Sequence, residues 1–337
     1  MVTFLLWIKT EVGIFAHWRS DMGFTRIDHV GILVDDLEIG RHVYCDGWGL
    51  DVDEHRSPWP NGRPGTFDDV TSIEIPIGEM YIEVSKPNDP NSPAGQFVAN
   101  RPGMYYVSLA SDNFENDVSV LESKGIGIES RSSDGDSVML EPSNTLGVRF
   151  QVVREDNYYA HPYYKGDGTL QGMAHIGLAA RSAEEVRHLF VDLLGFNEDA
   201  SQERGQDGPG EDRDRGRAAS DPVHLIEFPI GGSVIEISIP TTDDSGTAKL
   251  VAQRATQGAT FHHICPFAKD VHRSIETGVA AGLQQIGSIP EKGQAETFVA
   301  WFHPRTCAGV LTEIWNRTPG GEHAQHTHGM HPGPDND

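Results

Sequence analysis

Four side chains in the C-terminal half have the types and spacing to share one divalent metal ion. They are His175 in AHIGL, Glu236 in VIEIS, His263 in HHICP and Glu313 in LTEIW. Each sits in a short stretch that alternates with Ile, Val or Leu, the pattern of a half-buried strand. Neighbouring side chains on a strand point to opposite faces, so a Glu between two apolar residues faces away from the layer that buries them. A carboxylate in that position is costly to desolvate unless it is paired, protonated or bound to a metal. Two imidazoles and two carboxylates suit Zn²⁺, Mn²⁺, Fe²⁺, Co²⁺ or Ni²⁺ and leave positions for water or substrate on a five- or six-coordinate ion. Such an ion holds a carbonyl oxygen and stabilises the enediolate formed when the adjacent proton leaves.

The elements that must position these groups emerge from an internal repeat. IDHVGILVDDLEIGRHVYCDGWGL from Ile27 and MAHIGLAARSAEEVRHLFVDLLGF from Met173 share a strand with a His, a short turn and an amphipathic helix closed by Gly49 or Gly195. MYYVSLASDNFENDVSVLESKGI from Met104 and FHHICPFAKDVHRSIETGVAAGL from Phe261 repeat the plan and close at Gly125 and Gly282. β-rich runs follow each helix, so the unit reads β-α-β-β-β and occurs four times. One such unit leaves a sheet face uncovered, and two must pair to close a cleft. The expected class is α+β: two tandem domains, 23–155 and 173–318, each a curled mixed sheet built from two units. Residues 1–22 read as an N-terminal arm and 156–172 as a linker. Residues 319–337 form a His-rich tail with nothing to pack, and the charged, Gly-rich stretch 197–221 reads as an inserted loop or lid.

Superposing the units places His29, Glu83, Tyr106 and Gln151 of the first half on His175, Glu236, His263 and Glu313 of the second. Only the second half keeps four good ligands, because phenol and amide oxygen bind such ions poorly. The first half is expected to carry a degenerate site that serves packing, substrate enclosure or pairing of two chains as a homodimer.

The chain has 26 Lys+Arg against 50 Asp+Glu over 337 residues, a net charge of -24 that disfavours nucleic acid and anionic membrane surfaces as partners. No stretch has the length and apolarity of a membrane span. Three cysteines, Cys45, Cys265 and Cys307, without a C-x-x-C pair argue against a disulfide framework and fit a reducing, cytoplasmic setting.

From Ile27 to Trp315 the chain resembles the vicinal oxygen chelate superfamily, which includes glyoxalase I, methylmalonyl-CoA epimerase, extradiol dioxygenases and antibiotic-resistance proteins. IDHVGILVDDLE, FHHICPFAKDV and FVAWFHPRTCAGVLTEIW are closest to the epimerase branch. The resemblance puts His175, Glu236, His263 and Glu313 on the family's four metal-ligand strands. Glu236, where epimerases carry an amide, is more like the glyoxalase I set. It further implies that Glu313 acts as ligand and base, with Glu236 serving the other face of the substrate. His224, in HLIEF on the preceding strand, is a further expected acid-base group if that strand turns it inward.

The expected activity is a metal-dependent isomerase or epimerase acting next to a carbonyl, on a small hydroxy-ketone, a sugar-like compound or an acyl-CoA. A glyoxalase I-type lyase, an extradiol ring-cleaving dioxygenase and a non-catalytic small-molecule binding protein are the alternatives. A fourth ligand at Glu236 disfavours the dioxygenase, which needs that position open. The acyl-CoA version wants a basic patch, and Arg181, Arg187 and Arg305 are scattered.

Overall fold

In a computed structural model, residues 22–156, 168–199, 221–287 and 299–316 are described. The N-terminal arm, most of the linker, most of the charged insertion and the His-rich tail lie outside them.

The first sheet contains β1 (Phe24–Leu33), β2 (Arg63–Pro64), β3 (Val70–Ile77), β4 (Met80–Pro87), β5 (Gly103–Ser111), β6 (Ile128–Arg131), β7 (Ser137–Leu140) and β8 (Phe150–Arg154). Its strand order is β2-β3-β4-β1-β5-β8-β7-β6. The second contains β9 (Gly172–Ala180), β10 (Val223–Ile230), β11 (Ser233–Pro240), β12 (Ala259–Phe267), β13 (Gln285–Ile286), β14 (Val299–Phe302) and β15 (Leu311–Trp315), ordered β10-β11-β9-β12-β15-β14-β13. Apart from β2 the two orders correspond strand for strand. Within each sheet the unit-leading strands pair antiparallel, β1 with β5 and β9 with β12, and each runs parallel to the last strand of its own unit. These are the curled, mixed sheets of a tandem α+β chain.

Register confirms the superposition of the units. Gly31 pairs with Glu83 and with Tyr106, as Gly177 pairs with Glu236 and with His263. Gln151 sits opposite Met139, as Glu313 sits opposite Trp301.

The helices that follow the leading strands begin at side-chain caps on Asp36, Ser182 and Asp270, which accept from the backbone N–H of Glu38, Glu185 and Arg273. Those of the first and third units are not regular throughout: α-helical turns at Leu37–Arg41 and Ala183–Arg187 widen into π-turns at His42–Asp46 and His188–Leu193. All four glycines expected to close the helices, Gly49, Gly125, Gly195 and Gly282, have φ between 75° and 88°, a conformation side chains resist.

The two sheets share one continuous apolar core. Trp48 of the first half meets Phe302 of the second edge-on at 5.4 Å, and Phe150 meets Phe190 at 5.9 Å. Burying Ile235 and Ile237 in this core turns Glu236, between them, to the opposite face.

Candidate metal centre

His175 on β9, His263 on β12 and Glu313 on β15 bring their ligand atoms together at the middle of the second sheet. His175 Nε2 lies 2.8 Å from His263 Nε2 and 3.2 Å from Glu313 Oε2, and His263 Nε2 lies 3.1 Å from the same oxygen. All three residues are at most 4% exposed. Donor atoms ~2.1 Å from one ion and at right angles to each other stand ~3.0 Å apart. The three separations therefore match the edges of one coordination polyhedron, which is the geometric test that a divalent ion must pass.

The surroundings prepare the imidazoles for that role. His263 Nδ1 shares a hydrogen bond of 2.7 Å with His262 Nδ1. With an ion at the centre, a proton held on that side would leave Nε2 its lone pair for the ion. Trp301 stands edge-on to the His263 ring at 5.2 Å and Trp315 to the His175 ring at 5.7 Å, fixing both planes. Gly177 is required by the same arrangement, since a Cβ there would fall 2.2 Å from the His263 ring.

Electrostatics favour a cation at the point where the three atoms face. Burial alone would depress the His175 pKa, but the charge of Glu236 and the hydrogen bond and charge of Glu313 outweigh it and raise the value. Burial lowers that of His263. Glu313 is held well below the carboxylate range, its burial overcome by hydrogen bonds from both imidazoles. An ionised carboxylate beneath two rings can satisfy a metal ion in place of a shared proton.

Glu236 is buried on β11, at register with Gly177 and two residues along from His175, and its charge reaches the His175 ring. Among the described residues, however, the set whose ligand atoms all lie within 4.8 Å of one another is His175, His263 and Glu313 alone. The four expected ligands thus divide into three that converge and one beside them.

His224 is a correction. It shares the face of Ile226 and Phe228, both buried, and Phe228 stacks on Phe190 at 4.7 Å on the core side. The residue of that strand facing the centre is Glu227, directly opposite Glu236 in the ladder and close enough for its charge to raise the His175 pKa. The signal was present in the sequence: the two-residue Gly231–Gly232 turn pairs Ile230 with Ser233, and counting back three residues on each side pairs Glu227 with Glu236.

The first sheet fills the equivalent positions differently. Tyr106 Oη lies 2.8 Å from His29 Nε2 and donates to Glu83 Oε1 at 2.7 Å. The Arg63 guanidinium bonds Glu83 and reaches Glu74 at 2.6 Å, while Arg56 pairs with Glu74 at 3.2 Å. Burial would raise the Glu83 pKa, but Arg63, His29 and two hydroxyl donors bring it below the usual value; burial prevails at Glu74 and raises it. A guanidinium and a phenol fill the concave face that the second sheet leaves to His263 and Glu313.

Comparison with known proteins locates this architecture. Residues 26–143 match the family model described as the Glyoxalase/Bleomycin resistance protein/Dioxygenase superfamily. The mitochondrial methylmalonyl-CoA epimerase of Dictyostelium discoideum is 27% identical over 147 residues, covering 42% of this chain and 75% of that protein. Its Bos taurus counterpart is 26% identical over 154 residues, covering 43% and 84%. A triple mutant of 4-hydroxymandelate synthase from Streptomyces coelicolor superposes with a TM-score of 0.60 at 10% identity, over 88% of this chain and 93% of that one. A xylose isomerase-like TIM barrel/4-hydroxyphenylpyruvate dioxygenase fusion protein gives 0.55 at 15%, over 89% and 50%. At such identities these two likenesses speak for the fold, which they share over nearly the whole chain. Among the described residues no helix is long and apolar enough to cross a membrane.

Proposed function

We propose that this chain, whose residues 26–143 match the Glyoxalase/Bleomycin resistance protein/Dioxygenase superfamily, is a divalent-metal-dependent isomerase or epimerase moving a proton on the carbon beside a carbonyl group. The substrate class is a small hydroxy-ketone, a sugar-like carbonyl compound or an acyl-CoA. His175, His263 and Glu313 would hold the ion, with Glu236 beside them on the neighbouring strand. A bound ion would supply Lewis acidity to the carbonyl oxygen and offset the negative charge that develops as the proton leaves.

The observation that carries this reading is the carboxylate pair beside the three converging ligands. Glu236 and Glu227 face the centre from adjacent strands, next to His175. Each is a carboxylate able to accept or return a proton, and the two stand opposite each other in the ladder beside His175. Proton transfer beside a carbonyl needs a group of this kind close to the reacting carbon. The epimerase relatives support the same chemistry, and a glyoxalase I-type lyase would use the same groups on a hemithioacetal.

A dioxygenase is the second reading, favoured by one feature: two His and one Glu converge while Glu236 stands apart, the facial triad of non-haem iron oxygenases. Incubation with a panel of hydroxy-ketones, acyl-CoAs, hemithioacetals and catechols in D₂O separates the two. The proposal expects deuterium beside the carbonyl without oxygen uptake; oxygen uptake that requires iron, with no exchange, would replace it by the second reading.

A further inference from the structure

The two sheets enclose a cleft of about 520 Å³ whose lining carries Arg101, Arg149, Arg254 and His262 and, among the described residues, no Asp or Glu. This is unusual in a chain with nearly twice as many acidic as basic residues. The corresponding junction at the other end of the sheets, around Arg26, Met80 and Met173, is packed down to about 20 Å³. The space is therefore not a by-product of how two such sheets meet.

The cations differ in how far the protein satisfies them. Arg149 is engaged: it bonds the Tyr105 hydroxyl, stacks over its ring, and pairs with Glu129 at 3.2 Å and Asp68 at 3.5 Å. Arg101 makes only a long contact of 3.5 Å to the Gly309 carbonyl, and its Nη1 is buried without a partner among the described residues. Arg254, at the end of the helix Gly246–Arg254, has no ion pair there, and its surroundings lower its pKa by desolvation. Two guanidinium groups without an ion pair among the described residues, Arg101 with a buried Nη1 and Arg254 exposed at the rim, can receive an anion in this cleft. Phe97, Tyr105 and Phe261 give the cleft apolar walls.

The cleft also borders the metal-site strands. Phe261 and His262 precede His263 on β12, and Leu311 lies two residues before Glu313 on β15. We propose that Arg101 and Arg254 bind the phosphate group of a phosphorylated substrate whose carbonyl end reaches the centre at His175, His263 and Glu313. The link to catalysis rests on the isomerase reading above, whereas the anion site rests on the cleft alone.

The test is calorimetric titration of the full chain with inorganic pyrophosphate, before and after EDTA treatment, using wild type, Arg254→Ala and Arg101→Gln. Arg254 is exposed and Arg254→Ala leaves the core untouched, so loss of binding in that variant cannot be ascribed to unfolding. The proposal expects saturable binding that EDTA leaves unchanged and that each substitution weakens by about tenfold or more, the effect of losing one charge-assisted hydrogen bond. Absence of binding, affinity indifferent to both substitutions, or binding abolished by EDTA would overturn it. Deuterium exchange is scored separately: pyrophosphate binding without exchange leaves the anion site standing and removes the reaction, and exchange without pyrophosphate binding does the reverse.

Discussion

Glu227 stands directly opposite Glu236 across the β10–β11 ladder, as Glu74 stands opposite Glu83 across β3–β4. In the first sheet Arg63 joins the pair to a closed internal network. In the second the pair lies beside two imidazoles and a carboxylate whose ligand atoms face one point. The same backbone thus carries one copy closed by an arginine and another that gathers a His-His-Glu cluster.

If Glu236 transfers the proton, Glu236→Gln should lower kcat by about 10²–10⁴, the range for losing a general base. Bound metal, counted by elemental analysis, should stay near the wild-type level because three ligands remain. Glu227→Gln is expected to produce a smaller fall and to shift the pH profile of kcat/KM. A Glu236→Gln enzyme with full activity would remove this residue from the mechanism.

Metal should stabilise the folded chain. An ion that binds only the native state adds about 2.7 kcal/mol at a free concentration of 100 times its Kd. Thermal unfolding should therefore move upward with added metal in wild type and stay still in His263→Ala. An equal response in both would place the ion elsewhere.

Gly177 and Gly31 offer a paired test of the two copies. A Cβ at Gly177 would meet the His263 ring, and one at Gly31 would fall 2.0 Å from the Tyr106 ring. Each Ala substitution should destabilise by about 1–3 kcal/mol through overpacking, measured by urea unfolding. Gly177→Ala alone should also weaken metal binding, because the displaced ring is a ligand. Weakened metal binding in Gly31→Ala would contradict the division of roles.

Arg63 sets the sign of a pH dependence. In wild type the Glu83 pKa is below its ordinary 4.5. Its contribution is accordingly present above pH 4.5 and lost as pH falls through the folded value. In Arg63→Met the carboxylate loses its buried partner, and desolvation pushes its pKa above the unfolded value. Its contribution then reverses: it is favourable in acid and lost as pH rises past 4.5. Breaking a buried pair costs about 3–5 kcal/mol, so the variant should be destabilised by this order at pH 7 and much less at pH 4. Urea midpoints at the two pH values measure the difference, and an equal loss at both would refute the assignment.

Much of this was legible before any coordinates, because register follows from repetition. His29 and His175 lie on equivalent strands, and once the units are superposed the equivalent positions on the other strands follow. His224 was misplaced because HLIEF alternates correctly from either starting face, and only the Gly231–Gly232 turn decides which. Arg63 was invisible for another reason: it lies on a two-residue strand with no periodicity to mark it. Arg101 and Arg254 are 153 positions apart in the chain and line one cleft only when the sheets pack, so no cluster of charge marks them in the sequence.

In the proposed reaction one divalent ion per chain, held by His175, His263 and Glu313, drives proton exchange beside a carbonyl. Titrating metal-free enzyme with Mn²⁺, Co²⁺, Ni²⁺, Zn²⁺ or Fe²⁺ while following deuterium incorporation tests it directly. The account predicts that exchange rises to a plateau at one equivalent per chain and is absent in Glu313→Gln. Exchange that proceeds in EDTA, or that survives unchanged in Glu313→Gln, would contradict it.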